Sequence, residues 1–178
     1  MRVKEIKIYE FSELSAKVKV AVLDKERVHP DVFPWSDEWV NSLTSFCEHF
    51  NLTDLRYSVS AWNHSHCSAA LSDEDLQSLK GVRLWKYLKN NGLVNDKFLS
   101  GDCPFTGYYG DESLLDPIRE FMGKPSGITY PGLLDQCFAS WIKGYVADEE
   151  YAYSDEALIE SLDANEVEFF EDGRLCFE

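Results

Sequence analysis

Near its start the chain alternates: Ile6 and Ile8 fall on one face while Glu5, Lys7 and Tyr9 face the other way, the period-two pattern of a half-buried strand over residues 3–9. Leu14, Val18, Ala21 and Val22 then recur at helical spacing, which predicts a helix over residues 13–27 capped by Ser12. His29-Pro30 and Phe33-Pro34 interrupt the chain, because proline lacks a donor and restricts the residue before it. Ser36 is placed to cap a second helix. Asp37 and Glu38 sit at its positive end, and Val40, Leu43, Cys47 and Phe50 form its apolar stripe.

Leu55, Tyr57, Val59 and Ala61 alternate with Arg56, Ser58 and Ser60, and a second run passes through Cys67, Ala69 and Leu71, which together predict a central antiparallel hairpin. Asp73 opens a helical stretch bearing Leu76, Leu79, Leu84 and Leu88, interrupted at Gly81 and closed by Asn90-Asn91-Gly92 as a left-handed cap. After a loop over residues 93–110 a helix is expected over residues 111–122. Pro117 is tolerable only in a first turn, which moves the expected start to Asp116. Thr129 caps a long helix with Leu134, Cys137, Phe138, Trp141 and Tyr145 on one side, and Ser154 caps a shorter one with Leu158, Ile159 and Leu162. The last element reads as a hairpin: Val167 and Phe169 alternate with Glu166 and Glu168, Asp172-Gly173 gives a two-residue type I′ turn, and Leu175 and Phe177 return.

These elements predict an α+β fold in which an antiparallel sheet of about five strands is packed on one face by helices. The N-terminal strand, the central hairpin and the C-terminal hairpin supply the strands. No repeat, linker or low-complexity tract divides the sequence, so a single acidic domain over residues 1–178 is expected.

Composition adds two constraints. Aromatic residues make up 14% of the 178 residues and hydrophobic residues 44%, too much apolar material for a disordered chain. The five cysteines, Cys47, Cys67, Cys103, Cys137 and Cys176, are odd in number, scattered, and never in a C-x-x-C pair, which fits reduced thiols in a cytoplasm. No apolar run approaches the ~18 residues that span a bilayer, and the charged, alternating start is unlike a signal peptide.

The net charge of -15 is unevenly placed: residues 1–100 hold 13 Lys+Arg against 14 Asp+Glu, and residues 101–178 hold 4 against 18. Such a surface repels free nucleic acid and anionic membrane, and it attracts basic proteins.

Candidate chemistry is sparse. His64-Ser-His66-Cys67 is the densest cluster of metal-type ligands, but in a strand the two histidines share a face and Cys67 takes the other, so a site there needs Cys103 or a carboxylate from elsewhere. None of the cysteines lies in a nucleophile signature, and Glu48 and His49 diverge on one helix. Phosphate-loop, dinucleotide and nucleophile-elbow motifs are missing, and no cofactor is indicated.

Residues 148–178 are more informative, with 12 acids and the single base Arg174. Asp148, Glu149, Glu150, Asp155, Glu156, Glu160, Asp163, Glu166 and Glu168 interleave with Tyr151, Tyr153 and Phe170, with Glu171, Asp172 and Glu178 beyond. Aromatic anchors among charges describe a face that binds a protein partner. Duplex DNA carries one phosphate charge per ~1.7 Å of axis. Ordered carboxylates at comparable density can occupy the DNA-binding groove of a basic, nucleic-acid-handling protein; an acidic face can equally serve solubility alone.

Three stretches together resemble a family of small phage and prophage proteins, some labelled antitoxin of a toxin–antitoxin stability system: IYEFSELS at residues 8–15, CPFTGYYGDESLLDPIREF at residues 103–121, and DEALIESLDANEVEF with EDG at residues 155–169 and 171–173. The sequence departs from the family pattern at Trp62-Asn-His-Ser-His66, where a Gly- and Gln-containing turn is expected. The resemblance implies a phage accessory protein acting in a bacterial cytoplasm, with inhibition of a defence nuclease, restriction enzyme or CRISPR effector, or neutralisation of a toxin, as the roles to weigh. A metal-dependent enzyme centred on His64 and His66 is the remaining expectation.

Overall fold

The structure, a computed structural model, describes residues 6–29, 32–100 and 103–176. The expected strand residues 3–5, the break at Pro30, the loop glycine Gly101 and the terminal Phe177 and Glu178 lie outside them. The chain forms two compact units: Met1–Pro34 with Glu150–Glu178, and Trp35–Glu149.

In the first unit, β1 (Tyr9–Glu10) runs into a single 3₁₀ turn (Phe11–Glu13) and then α1 (Ala16–Glu26). Ser15, not Ser12, caps α1 by accepting from the Val18 amide, while Glu10 and Glu13 cap the 3₁₀ turn reciprocally. From the C-terminal segment come α7 (Asp155–Ala164), capped by Ser154 as its sequence requires, and β4 (Glu168–Phe169). Phe11, Leu14, Val22, Leu23, Leu158, Leu162 and Phe169 form the core of this unit. Phe11 meets Phe169 edge to face at 6.4 Å. Ile6 and Ile8, expected on a buried face, are 66% and 43% exposed.

The second unit holds α2 (Ser36–His49), β2 (Leu52–Ser58), β3 (His66–Leu71), a 3₁₀ helix (Glu74–Ser78), α3 (Gly81–Asn90), the short α4 (Asp96–Leu99), α5 (Gly110–Gly123) and the greater part of α6 (Tyr130–Ala152). Its core is Trp39, Leu43, Phe46, Leu84, Leu88, Leu114, Leu115, Ile118, Leu133 and Trp141, each essentially inaccessible. The i, i+3, i+4 spacing of Leu134, Cys137, Phe138 and Trp141 gives α6 its buried stripe, as the sequence implies. Ser36 is the first helical residue of α2 rather than its cap, a role that falls to Trp35 without a side-chain bond. Pro117 lies well inside α5 rather than in a first turn. Its missing amide removes one helical hydrogen bond, and burial of Leu114, Leu115, Ile118 and Phe121 on both sides of it holds the helix through.

Among the described residues the expected sheet of five strands is not formed: they hold two separate antiparallel pairs, β1 with β4 and β2 with β3. Tyr9 pairs Phe169 and Glu10 pairs Glu168, so the N-terminal strand does meet the C-terminal hairpin, but over two residues only. Alternation marks residues that suit a strand and says nothing of which strands meet or how far a ladder extends. The C-terminal return reduces to a bridge between Phe169 and Leu175. Its turn is closed by the Gly173 amide donating to the Phe170 carbonyl at 2.9 Å, with Gly173 itself at φ +85. That places Glu171 and Asp172 at the turn's centre and Gly173 after it, instead of the type I′ pair Asp172-Gly173. In the central hairpin, Asp54 at φ +53 sits in a register shift between Thr53 and Arg56, which bulges β2.

Gly144 packs directly against the core of the second unit: a Cβ there meets Trp39 Cη2 at 2.5 Å and Ser113 Oγ at 2.9 Å. Gly144→Ala is expected to destabilise the protein by about 2–3 kcal/mol, since the rigid indole cannot yield as a flexible side chain can. Urea unfolding of the variant against wild type measures the loss.

Candidate functional site

The acidic stretch read from the sequence divides by environment. Asp148 and Glu149, on α6, are engaged inside the second unit. Asp148 Oδ2 accepts from Trp39 Nε1 at 2.9 Å, from Trp35 Nε1 at 3.0 Å, from the Tyr108 hydroxyl at 3.2 Å, and from the Tyr109 hydroxyl. Trp39, fully buried, takes Tyr108, Tyr109, Trp141 and Tyr145 around its ring with edges toward faces at 5.2–6.4 Å. One carboxylate thus gathers two indoles and two phenols, and it satisfies the donor of Trp39 that the core would otherwise strand. Glu149 Oε2 accepts from the Ala61 amide at 2.5 Å, fixing the turn between β2 and β3.

A second buried acid, which the sequence did not single out, organises the loop before α5. Asp111 is wholly buried and accepts from the Phe105 and Thr106 amides at 2.8 Å and the Thr106 hydroxyl at 3.0 Å. Its place in an Asp-Glu pair at a helix start is a cap-like signal, but nothing local shows that the chain folds back onto it.

The acids of the first unit face solvent. Asp155, Glu156, Glu160 and Asp163 are exposed along α7, as are Glu150 before it and Glu166, Glu168, Glu171 and Asp172 after it. Glu166 adopts φ +49 just past the end of α7, a left-handed position where glycine is the usual residue. A cleft of about 370 Å³ lies between the 3₁₀ turn, α7 and β4, lined by Glu10, Asp163, Glu166 and Glu168 with Phe11, Leu162 and Val167. Tyr151, 44% exposed, donates its hydroxyl to Glu160 Oε2 at 2.9 Å. That bond, together with the charge of Glu160, raises the phenol above its ordinary range.

Both arginines described in this unit are engaged by acids, while Lys7 lines a surface hollow with Phe170, Asp172 and Arg174. Arg27 pairs with Asp24 at 2.8 Å and with Asp155, and it donates to the Tyr153 carbonyl at 3.3 Å. Arg174 binds Asp172 at 2.9 Å and lies over the half-buried Phe170 ring at 5.6 Å. Asp172 is held below its usual range by the Arg174 amide first, then by the Arg174 side chain. What faces outward is therefore Glu156, Glu160, Asp163, Glu166 and Glu168 with Tyr151 beside them.

The metal expectation draws no support from the geometry. His64 and His66 are exposed, Cys67 turns to the opposite face and Cys103 is half-buried, and no group of three or more His, Cys, Asp and Glu among the described residues is placed to hold an ion. Burial pushes the Cys47 thiol up to about 11 and Cys67 to about 12, and it raises Cys137 as well. Such thiols carry little thiolate at neutral pH and are poor nucleophiles. His49 packs against Phe98 at 4.7 Å and Phe50 at 5.0 Å, with Nε2 bonded to the Leu93 carbonyl at 2.8 Å, a structural setting.

No helix among the described residues is long and apolar enough to cross a membrane. No family model, curated protein or solved structure matches the chain.

Asp148→Ala is expected to cost about 2–3 kcal/mol, because the buried Trp39 donor loses its acceptor; the midpoint of urea unfolding reports it. A second expectation concerns alkaline pH. Burial, then the Asp148 charge, pushes the Tyr108 phenol above its ordinary value near 10. The folded chain therefore holds a proton that the unfolded chain releases, so this contribution is intact below about pH 10 and declines as pH rises toward the raised value. Thermal unfolding followed from about pH 9 upward should show stability falling with pH, with a shallower slope in Tyr108→Phe.

Proposed function

We propose that this is a phage- or prophage-encoded interaction protein that binds a basic, nucleic-acid-handling bacterial protein through the carboxylates of α7 and β4, and so keeps nucleic acid out of that partner's groove in the bacterial cytoplasm. The observation that supports the reading most directly is the surplus of exposed acids in the first unit. Glu156, Glu160, Asp163, Glu166 and Glu168 project outward while Arg27 and Arg174 are spent on Asp24, Asp155 and Asp172. These carboxylates stand in for phosphates, and Tyr151 supplies an aromatic anchor of the kind found at the centre of protein interfaces.

Glu166 supports it further. A non-glycine residue in the left-handed region costs on the order of 1 kcal/mol, so stability alone favours glycine there, whereas an acid-lined cleft favours the carboxylate. The phage context rests on the resemblance of residues 8–15, 103–121, 155–169 and 171–173. Binding of this kind involves no turnover: like-charged surfaces replace one another on a basic groove, and attraction at long range speeds encounter.

Reversing four exposed charges, Glu156→Lys, Glu160→Lys, Glu166→Lys and Glu168→Lys, should abolish capture of basic nucleic-acid-binding proteins from a bacterial lysate. Capture by the unaltered protein should fall steeply between low and high salt and be displaced by duplex DNA. Equal capture by the reversed variant, or capture that DNA does not displace, would sink the proposal.

A further inference from the structure

β3 has an open side. It pairs with β2 along one edge and, among the described residues, with no other strand. Edge strands normally carry devices against pairing with another chain: a charge, a proline, or a bulge that twists the edge away. β2 has such devices in Asp54, Arg56 and the register shift between Thr53 and Arg56. β3, His-Cys-Ser-Ala-Ala-Leu, has none. Its outward side chains His66, Ser68 and Ala70 are exposed, and Ser68 and Ala70 are too small to hold another backbone off. A notch of about 210 Å³ beside Ala69, Ala70 and Leu71, bounded by Gln77 and by Pro131, Leu134 and the single acid Asp135 of α6, leaves room along the strand.

Charge selects the occupant. With a net charge of -15 and 32 acids in 178 residues, most of this surface repels a second copy of itself, yet residues 55–71 contain no Asp or Glu. The β3 side of the hairpin, away from Asp54 on β2, is thus where two copies approach at low electrostatic cost. An antiparallel strand edge is also self-complementary under a two-fold axis, so the same six residues serve both partners. A two-stranded ribbon is marginal by itself, and a continuous sheet of four strands is not.

We propose that the chain forms a two-fold dimer by antiparallel pairing of β3 with β3 of a second copy, joining two hairpins into one four-stranded sheet. The overall repulsion between copies is screened within about 8 Å at physiological ionic strength, so the dimer strengthens with added salt. Binding through the acids of α7 and β4 weakens with salt, and the two associations are therefore told apart by the sign of their salt dependence.

Sedimentation velocity of the full chain at low and high salt tests this. A species of twice the 20.5 kDa monomer mass should appear with rising concentration and be favoured at high salt. The double variant Ser68→Glu, Ala70→Glu, altered at exposed positions, puts four new carboxylates at the junction and should remain monomeric with an unchanged circular dichroism spectrum. In the unaltered protein, amide exchange across residues 66–71 should slow as concentration rises while exchange in α7 does not. A chain that stays monomeric at high salt, a dimer that persists in the double variant, or a dimer whose β3 amides exchange at the monomer's rate would each overturn the proposal.

Discussion

The second unit is organised around the burial of one indole. Trp39 can lie wholly inside only because position 144 has no side chain to collide with it and because Asp148, one helical turn further along α6, takes its N–H. The same carboxylate oxygen collects Trp35, Tyr108 and Tyr109, so the start of α2, the loop before α5 and the C-terminal part of α6 are fixed to one point. Trp141 closes the arrangement by donating to the Trp39 carbonyl at 2.9 Å. Without an acceptor at this place, the buried indole of Trp39 would carry an unmet donor into the core, a cost that apolar burial alone does not offset.

The first unit solves a different problem. Its apolar interior is small, with seven buried side chains at its centre, and its outer surface is crowded with like charge. Repulsion among those acids opposes compactness, and the unit answers with local pairings: Arg27 on Asp24 and Asp155, Arg174 on Asp172, and Tyr151 on Glu160. Gly173 brings the last turn against α1, where a Cβ would meet Val18 Cγ1 at 2.8 Å. The acids that no arginine holds are the ones free to meet another molecule.

How much of this was legible follows from the range of each interaction. Helices α6 and α7, with their caps at Thr129 and Ser154, could be read because cap and stripe lie within a few residues of each other. The central hairpin was legible as a pair of strands, but β2 spans Leu52–Ser58, so Val59 and Ala61 of the expected alternation lie past its end, and the bulge at Asp54 had no local signal. The single large sheet was not, because β1 and β4 alternate well and yet pair over only two residues. The division at Glu149 and Glu150 falls inside a continuous helix, where no Gly, Pro or Ser tract announces it. Glu156, Glu160 and Glu168 are as exposed as their pattern suggested. Asp148 and Glu149 look identical to them in sequence, and their role depends on Trp35, Trp39 and Ala61, about 90 to 110 residues distant.

The order of the two units along the chain carries a consequence for synthesis. Every residue from Trp35 to Glu149 has been made before the ribosome reaches α7, so the aromatic unit can assemble while translation continues. Its neighbour cannot: β1 emerges ahead of the aromatic unit, and its partner Phe169 lies 160 residues later. The segment around β1 must wait, with Phe11, Leu14 and Val22 uncovered, until α7 and β4 have been made. Prior folding of the intervening 115 residues shortens the loop that this late pairing has to close. A truncated or stalled product would therefore contain the aromatic unit and lack the acidic face.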